Sequence, residues 1–452
     1  MTDTVQAVPA TEASDHMPAG PPLPQWAQTV LMMYRWPGFI GACRRRYGSV
    51  FTVDIASMGR IVYLADPADI KTVFAGDAEV YRAGEANATV LRGVLGDTSV
   101  LVIDGAEHRD RRKLMLPSFH RDSVRRQVEV MTEIAAANVA EWPVGEEFPV
   151  ATQTARITLE VILRAVIGSS DPERLEALRK ALPPVVNMGM LATLAMINPK
   201  LLAKRPWKFV RERLAAADAL IYAEISDRRS DPNLAERIDV LSMLVRESGE
   251  DGRSMTDTEL RDQLMTLLFA GHETTATGLA WALERLTRHP ALLARAVEAA
   301  DASAAGDPAG DEYLDALVKE ILRVRPVVFD VGRVLHAPVE IGGYRLPAGV
   351  MVAPGIGLVH ADPEVYDDPE RFDPDRMLGR NLSPTQWLPF GGGGRRCLGA
   401  TFAQVEMRVV LREVLLRVNL ATTTAPGEKQ RVKHVTLVPH KGARIRVTSR
   451  RR

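Results

Sequence analysis

The residues best suited to chemistry lie in one glycine-rich segment near the C-terminal end of the chain. Residues 390–400 read FGGGGRRCLGA in one-letter code. A thiolate at Cys397 would face the backbone N–H groups of this loop and the positive end of the helix predicted to follow it. These surroundings favour a cysteine that is held as an anionic metal ligand.

Other uses of such a loop fit these residues less well. A phosphate-binding loop continues from its glycines into Gly-Lys-Ser or Gly-Lys-Thr, which is absent here. The only other cysteine is Cys43, so the sequence does not indicate a disulfide framework or a structural zinc site. A single thiolate ligand to haem iron remains, and in such sites the thiolate pushes electron density toward O–O cleavage.

The loop resembles the haem-ligand loop of the cytochrome P450 family, Phe-x-x-Gly-x-Arg-x-Cys-x-Gly, at every fixed position. The resemblance implies haem b as the cofactor, with its axial thiolate from Cys397. It also implies that Phe390, Gly391, Arg395 and Gly399 belong to the cofactor-binding loop.

A long helix is predicted in the middle of the chain. Thr256 and Glu259 form a capping box at its start, and Pro290 ends the pattern, which gives about 32 residues or ~48 Å. Its centre, residues 270–275, reads AGHETT and combines poor helix formers with a polar cluster. On the residues alone, a kinked core helix with a solvated histidine–glutamate edge remains an alternative.

The centre of this helix resembles the oxygen-activation motif of the family, Ala/Gly-Gly-x-Asp/Glu-Thr. The resemblance implies that Glu273 and Thr274 are catalytic, with the hydroxyl beside the iron and the carboxylate relaying protons from solvent. Ala270, counted with the cofactor-binding residues, and Gly271 would leave room for oxygen. His272 is expected to be structural or solvent-facing rather than a ligand.

A scaffold motif follows the long helix. Glu320 and Arg323 lie three apart on one predicted helix face and resemble the Glu-x-x-Arg pair of the family, which a second arginine joins. Arg371 stands in a literal Pro-Glu-Arg-Phe and Arg376 in the less perfect Pro-Asp-Arg-Met. The distance to Cys397 fits the later copy, so Arg376 is assigned to the structural triad.

Four cationic residues resemble those that bind the haem propionates in the family. His108 and Arg112 lie four apart on a predicted helix, and Arg333 and Arg395 complete the set. For each residue alone, a plain surface charge is the alternative. Further basic residues follow His108 and indicate either a solvated face or a docking surface for an acidic electron donor: Arg109, Arg111, Lys113, Arg121, Arg125 and Arg126.

Composition sets the broad class of the protein. The chain has 452 residues with zero formal net charge, so no overall field attracts nucleic acid. Residues 1–25 are expected to be a disordered lead-in without a membrane anchor, and residues 26–452 a single haem domain. The predicted fold is mainly α with small β-sheets, with the long helix over a haem held by the cysteine loop. A cytoplasmic enzyme of bacterial type is expected.

The substrate region is less well marked. Residues 81–100 are expected to form a loop over the haem, residues 183–208 a mobile lid or ordinary packing, and residues 327–329 part of an apolar pocket. The resemblance implies a monooxygenase that uses O2 and electrons from NAD(P)H through a separate reductase and ferredoxin. Its substrate would be apolar, such as a lipid, fatty acid, terpenoid or steroid-like molecule. A peroxide-driven or isomerising haem-thiolate enzyme and a non-catalytic haem sensor or carrier remain as alternatives.

Overall fold

Helices dominate the computed structural model, which describes residues 17–56, 58–169, 171–186, 207–247, 249 and 252–451. The α-helices are α1 (Gln25–Tyr47), α2 (Pro67–Ala75), α3 (Ala83–Leu95), α4 (Gly105–Met115), α5 (Arg121–Arg125), α6 (Val128–Ala140), α7 (Val150–Val161), α8 (Pro172–Val186), α9 (Lys208–Arg229), α10 (Val240–Arg246), α11 (Asp257–Arg288), α12 (Pro290–Ala304), α13 (Pro308–Val324), α14 (Ile356–His360) and α15 (Ala400–Arg417).

Short strands form four small sheets. The strands are β1 (Val50–Ile55), β2 (Gly59–Leu64), β3 (Tyr81–Arg82), β4 (Glu147–Pro149), β5 (Arg333–Leu335), β6 (Val339–Ile341), β7 (Tyr344–Leu346), β8 (Met351–Pro354), β9 (Val418–Ala421), β10 (Gln430–Lys433), β11 (Thr436–Pro439) and β12 (Arg444–Arg450). The largest sheet has the order β1-β2-β8-β5-β3, and the others are β4-β12-β9, β6-β7 and β10-β11. In the largest sheet only β2 and β8 are parallel, with Ile61 opposite Met351.

The largest sheet is covered on both faces. Side chains alternate along a strand, so Ile61 and Tyr63 of β2 join one apolar cluster with residues of α1, whereas Val62 and Leu64 join another. The main core lies among the helices and surrounds α11. Within the described residues, no helix combines the length and the apolar character needed to cross a membrane.

Helix α11 confirms the long helix expected from the sequence. Thr256 accepts a hydrogen bond from the Glu259 N–H at 3.2 Å, and the Glu259 carboxylate accepts one from the Thr256 N–H at 2.8 Å. The reciprocal bonds satisfy two donors at the start of the helix. The helix then runs for 32 residues to Arg288, and most of its side chains are buried.

Two regional expectations meet a different outcome, and a third is not tested. Residues 81–100 contain the short strand β3 and the helix α3 rather than only a loop. At the end of the expected lead-in, the carbonyls of Pro18 and Ala19 accept hydrogen bonds from Thr52. This part is therefore held against β1, whereas the sequence predicts disorder up to residue 25. Most of the 183–208 segment lies outside the described residues.

Candidate active site

The cysteine loop is built by close backbone packing. The Cys397 N–H donates to the Phe390 carbonyl at 2.9 Å and so closes the loop. At Gly393, where φ is +63°, a Cβ atom would lie 2.0 Å from the Phe74 carbonyl oxygen, so only glycine fits. Protein surrounds Cys397 on all sides, yet its side chain is exposed. The thiol therefore faces an interior space.

Helix α11 presents a matching exposed stripe. Ala270 is exposed and Gly271 and Thr274 are partly exposed, although residues 260–266 before them and 275–284 after them are buried. Positions 270 and 274 lie one above the other on a helix. A stripe of this kind in the middle of a buried helix lines an interior space rather than the outer surface.

Residues 97–104 tie α11 to the cysteine loop. The Gln263 side chain of α11 accepts from the Val100 N–H at 3.0 Å and donates to the Thr98 carbonyl at 2.8 Å. From the other side, Arg395 donates to the Val100 carbonyl at 3.1 Å and the Ile103 carbonyl at 2.6 Å. One segment thus fixes the central helix relative to the loop that carries Cys397.

The surroundings of Cys397 act on its thiol in opposite directions. Burial raises the pKa of the thiol, whereas the Gly399 N–H and the positive charges of Arg112 and Arg396 lower it. The favourable contacts are those expected of an anionic ligand at a helix N-terminus. The structure places Phe390 and Gly399 beside Cys397, and the Val331 side chain lies 4.0 Å from the Cβ position of Gly391.

The four cationic residues of the sequence analysis come together in the structure. The pKa of His108 falls to about 3 because of burial and the nearby charges of Arg395, Arg112 and Arg333. Arg333 is buried, and burial, then Arg395, lower its pKa to about 10. Its guanidinium donates to the Gly332 carbonyl at 2.8 Å. Neither Arg112 nor Arg333 has a carboxylate partner among the described residues.

Arg395 differs because Asp104 neutralises it through an ion pair. Asp104 precedes α4, but its carboxylate accepts from the Gly84 and Glu85 N–H groups at 2.8 Å each and so caps α3 instead. Sequence reasoning missed this acid, because nothing in its local sequence marks a contact with α3 or with Arg395. With His108 neutral, three guanidiniums face one carboxylate, which leaves an excess of two positive charges.

The acid and the alcohol of α11 have well-defined partners. The Thr274 hydroxyl donates to the Ala270 carbonyl at 2.5 Å, a back-bond that fixes its rotamer. Glu273 is 8% exposed, and its Oε1 lies 2.7 Å from Lys433 Nζ at the end of β10. Sequence reasoning missed Lys433, because nothing in its local sequence marks a contact with a distant helix.

His272 has a structural position. It is buried, and its Nδ1 lies 2.8 Å from the Thr158 hydroxyl of α7. Burial, then the charge of Lys433, lowers its pKa to about 4. The alternative of a solvated histidine–glutamate edge is therefore wrong, since both side chains are inside the protein.

The scaffold residues form one buried network. Arg323 donates to both Glu320 oxygens at 2.8 and 2.7 Å, and both side chains are fully buried. Arg376 Nε donates to Glu320 Oε1 at 3.2 Å. The structure places Arg371 on the surface, 3.7 Å from Asp373, although its backbone carbonyl accepts from Arg323 at 3.0 Å.

The basic segment divides into buried and exposed members. Arg111 is buried and forms an ion pair with Glu259, the capping residue of α11, so it is no part of a docking surface. Lys113 is exposed and also has an interaction partner. The remaining arginines of the segment are exposed: Arg109, Arg121, Arg125 and Arg126.

Comparisons with known proteins agree on one family. A family model described as Cytochrome P450 matches residues 18–447. "Putative cytochrome P450 135B1" of Mycobacterium tuberculosis is 66% identical over 96% of this chain and 92% of its own length. "Putative cytochrome P450 138" of the same species is 39% identical over 98% and 99%.

Solved structures show the same fold. The crystal structure of the cytochrome P450DA haem domain superposes with a TM-score of 0.84 at 25% identity and covers 96% of this chain and 98% of its own. The structure of retinoic-acid-bound cyanobacterial CYP120A1 superposes with a TM-score of 0.82 at 24% identity, covering 96% and 99%. The predicted fold class is thereby confirmed.

Proposed function

Because this chain belongs to the cytochrome P450 family, we propose that it is a haem-thiolate monooxygenase acting on an apolar small molecule. One oxygen atom of O2 enters a C–H or C=C bond of the substrate, and the other leaves as water. Two electrons come from NAD(P)H through a separate reductase and ferredoxin. Lipids, terpenoids and steroid-like molecules are the substrate classes that suit an apolar pocket.

Proteins of this family bind haem b through an axial cysteine thiolate, and the residues present fit that group. Cys397 faces an interior space as the axial ligand must. The excess of two positive charges among Arg112, Arg333, Arg395 and Asp104 matches the two propionates of haem b. When bound, the haem supplies the redox chemistry of oxygen activation.

In this proposal, residues of α11 transfer protons and leave room for oxygen and substrate. Ala270 keeps the interior space beside α11 open, since a larger side chain would fill it. Gly271 instead allows close packing, because a Cβ atom there would lie 3.2 Å from the Ile162 side chain. The Thr274 hydroxyl, oriented by the Ala270 carbonyl, holds a proton at Oγ1 on the face that lines this space. The Glu273 carboxylate, paired with Lys433, takes up protons for transfer toward that hydroxyl.

The observation that carries the proposal is the arrangement on α11. The Thr274 hydroxyl faces an interior space, as Cys397 does. The adjacent Glu273 forms an ion pair with Lys433, whose side chain is 28% exposed. A protein that only carried or sensed haem would not need a buried carboxylate paired in this way, because such burial is costly.

Product analysis under isotopically labelled dioxygen tests the proposal. The haem-loaded protein, NAD(P)H, and a surrogate ferredoxin and reductase are incubated with a panel of apolar compounds. We expect one labelled oxygen atom per hydroxylated product. Thr274→Ala should lower the product formed per NAD(P)H consumed, whereas Thr275→Ala, a buried position on the same helix, is the matched control.

Two outcomes would replace the proposal. Turnover that needs no electron donor would identify a peroxide-driven enzyme if hydrogen peroxide is required, or an isomerising enzyme if no oxidant is required. No turnover by either route, with haem binding unaffected by Thr274→Ala, would identify a haem sensor or carrier.

A further inference from the structure

Asp330 is an acid in an apolar region beside the interior site. It lies between α13 and β5, directly after Phe329, which packs on Trp36 with ring centroids 5.9 Å apart. Asp330 Oδ2 accepts a hydrogen bond from the Tyr63 hydroxyl at 2.7 Å, and Tyr63 accepts one from the Trp36 indole N–H at 3.3 Å. The carboxyl is thus oriented by a chain of two aromatic donors.

The surroundings of this acid are otherwise apolar. Phe329, Trp36 and Tyr63 belong to the cluster on the α1 face of the large sheet, with Met351 and Leu437. Burial raises the pKa of Asp330 to about 6, and no charged residue contributes to the shift. The fold therefore keeps a carboxyl in a place where its charged form is poorly stabilised.

The hydrogen-bonding capacity of Asp330 is not used up. A carboxylate accepts about four hydrogen bonds, whereas Asp330 interacts with two donors, the Tyr63 hydroxyl at 2.7 Å and the Trp36 indole. Protein surrounds the carboxyl on all sides, yet Asp330 keeps part of its accessible surface. The carboxyl therefore keeps some surface at which a further hydrogen-bond donor can bind.

Asp330 also lies close to the candidate active site. The side chain of the next residue, Val331, lies 4.0 Å from the position that a Cβ atom would take at Gly391 of the cysteine loop. Three residues earlier, the Val327 carbonyl accepts from the Leu437 N–H at 2.8 Å, next to the hairpin that carries Lys433. The segment from Val327 to Arg333 therefore runs along the site, with Asp330 as its only acid.

We propose that Asp330, oriented by Tyr63 and Trp36, anchors an otherwise apolar substrate by accepting a hydrogen bond from an alcohol or protonated amine at one end. This inference rests on the proposed function and names its substrate class more narrowly. A substrate ending in a free carboxylate is disfavoured, because two like charges in an apolar region repel strongly. Of the substrates expected from the sequence, fatty acids should therefore bind less well than alcohols and amines.

The anchor has a pH dependence that follows from its surroundings. The titratable groups that face Asp330 are Tyr63 of β2 and, beyond that tyrosine, Cys43 of α1. Both are neutral at ordinary pH because burial raises their pKa values. Asp330 alone changes charge near its pKa of about 6, so the preference for donor-ended ligands should weaken below that pH.

Equilibrium dialysis of the haem-loaded protein tests the anchor without electron transfer. The probes are dodecanol, geraniol and a hydroxysteroid, each paired with its methyl ether, which keeps the shape and removes the donor. Dodecanoate is the carboxylate probe. We expect at least one alcohol to bind about tenfold more tightly than its ether, the size of effect typical of a hydrogen bond to a charged group.

The variants decide whether Asp330 causes the preference. Asp330→Leu should abolish the difference between alcohol and ether and improve binding of dodecanoate. Tyr63→Phe keeps the acid but removes its orienting donor, and it should reduce the difference in binding between alcohol and ether. This variant provides the test if Asp330→Leu does not fold. The proposal is overturned if no alcohol binds better than its ether, or if the preference survives in the variants.

The carbon monoxide spectrum of the same preparation distinguishes failure of the Asp330 anchor from failure of the proposed monooxygenase function. A thiolate-type spectrum with no discrimination between alcohol and ether would remove the anchor and leave the monooxygenase proposal intact. A spectrum without thiolate ligation would remove the proposed function itself.

Discussion

Lys433 Nζ lies 2.7 Å from Glu273 Oε1 and joins the C-terminal hairpin to the centre of the longest described helix. The carboxylate side chain is 10% exposed and the lysine side chain 28% exposed, so the pair extends from the interior toward the surface. Removing the partner of a buried carboxylate is strongly destabilising, because it leaves an uncompensated charge. The hairpin thus positions the acid to which the proposed function assigns proton delivery.

Replacing Lys433 should uncouple electron consumption from product formation. In Lys433→Met the Glu273 carboxylate loses its counter-charge, and we expect product per NAD(P)H to fall about threefold to tenfold. This is a fraction of the roughly 10²–10⁴-fold that general acid–base catalysis contributes. The measurement is product and peroxide formed per NAD(P)H, with the solvent isotope effect on product formation.

Two variants control this measurement. Lys433→Arg keeps the charge and should retain most of the coupling, and Lys429→Met removes an exposed lysine just before β10. An unchanged product yield in Lys433→Met would show that the ion pair does not serve the relay.

Removing Arg333 should separate haem binding from folding. Its guanidinium is buried and has no carboxylate partner among the described residues, so Arg333→Leu removes an uncompensated charge from the apoprotein. We expect the apoprotein to be as stable as the parent or more stable, whereas haem dissociates faster. Thermal unfolding of the apoprotein and haem transfer to excess apomyoglobin measure the two effects.

Arg395→Leu is the matched comparison, because it leaves Asp104 unpaired in a partly buried place. That variant should destabilise the apoprotein as well as weaken haem binding. Loss of apoprotein stability in Arg333→Leu, with haem release unchanged, would contradict a propionate role for Arg333.

Replacing Arg376 should lower the stability of the fold, whereas replacing Arg371 should not. Arg376→Ala removes a donor from the fully buried Glu320 and from the carbonyls of Asp367 and Asp368, and we expect a loss of about 2–4 kcal/mol in unfolding free energy. Arg371→Ala removes an exposed side chain and should change stability by less than about 0.5 kcal/mol. Denaturant unfolding of both variants checks this, and equal effects would show that the later motif is not the structural one.

The protein should lose stability as the pH falls from neutral. His360 is 2% exposed, and burial, then Arg323, lowers its pKa to about 3. The ordinary value is about 6.5, so between these values the unfolded chain binds a proton that the folded chain excludes. This contribution to stability is complete above about pH 6.5 and is lost progressively toward pH 3.

Replacing His360 should weaken that dependence. Its Nε2 accepts a hydrogen bond from the Leu388 N–H at 3.1 Å, so His360→Gln should lower the melting temperature at neutral pH and flatten its fall with acid. The expected change in slope approaches about 1.4 kcal/mol per pH unit, the value for one proton. If the melting temperature of His360→Gln falls with pH as steeply as that of the parent, the acid sensitivity belongs to other groups, such as His108 and His272.

The exposed arginines near α4 and α5 should govern the rate of electron delivery. Arg121→Glu and Arg125→Glu reverse charge on exposed positions, and we expect slower reduction by an acidic ferredoxin at low salt and a weaker salt dependence. Arg345→Glu, exposed on β7, is the control. Equal effects in all three variants would point to net charge rather than a docking surface.

Local signals sufficed for much of the fold and site. The capping box and Pro290 set the ends of α11, and the glycine–cysteine loop requires its own close packing at Gly393. The spacing to Cys397 indicated Arg376, which the structure places against Glu320. The motifs themselves are local in sequence and could therefore be recognised, although the contacts that they make, such as Gly393 with Phe74 and Arg376 with Glu320, are long-range.

Long-range pairings could not be read in the same way. Lys433 and Asp104 carry no local sign of the helix ends and side chains that they contact. Arg111 looks like its basic neighbours, but packing against the start of α11 buries it with Glu259. Asp330 belongs to this group, since only the fold brings Tyr63 and Trp36 to it.

The most direct test of the account is the absorption spectrum of the purified, haem-loaded protein after reduction and exposure to carbon monoxide. A strongly red-shifted Soret band that is lost in Cys397→Ala is the predicted result, because it reports a thiolate as the axial ligand. A band typical of histidine ligation, or a red-shifted band that persists in Cys397→Ala, would contradict Cys397 as the ligand and remove the basis of the proposed chemistry.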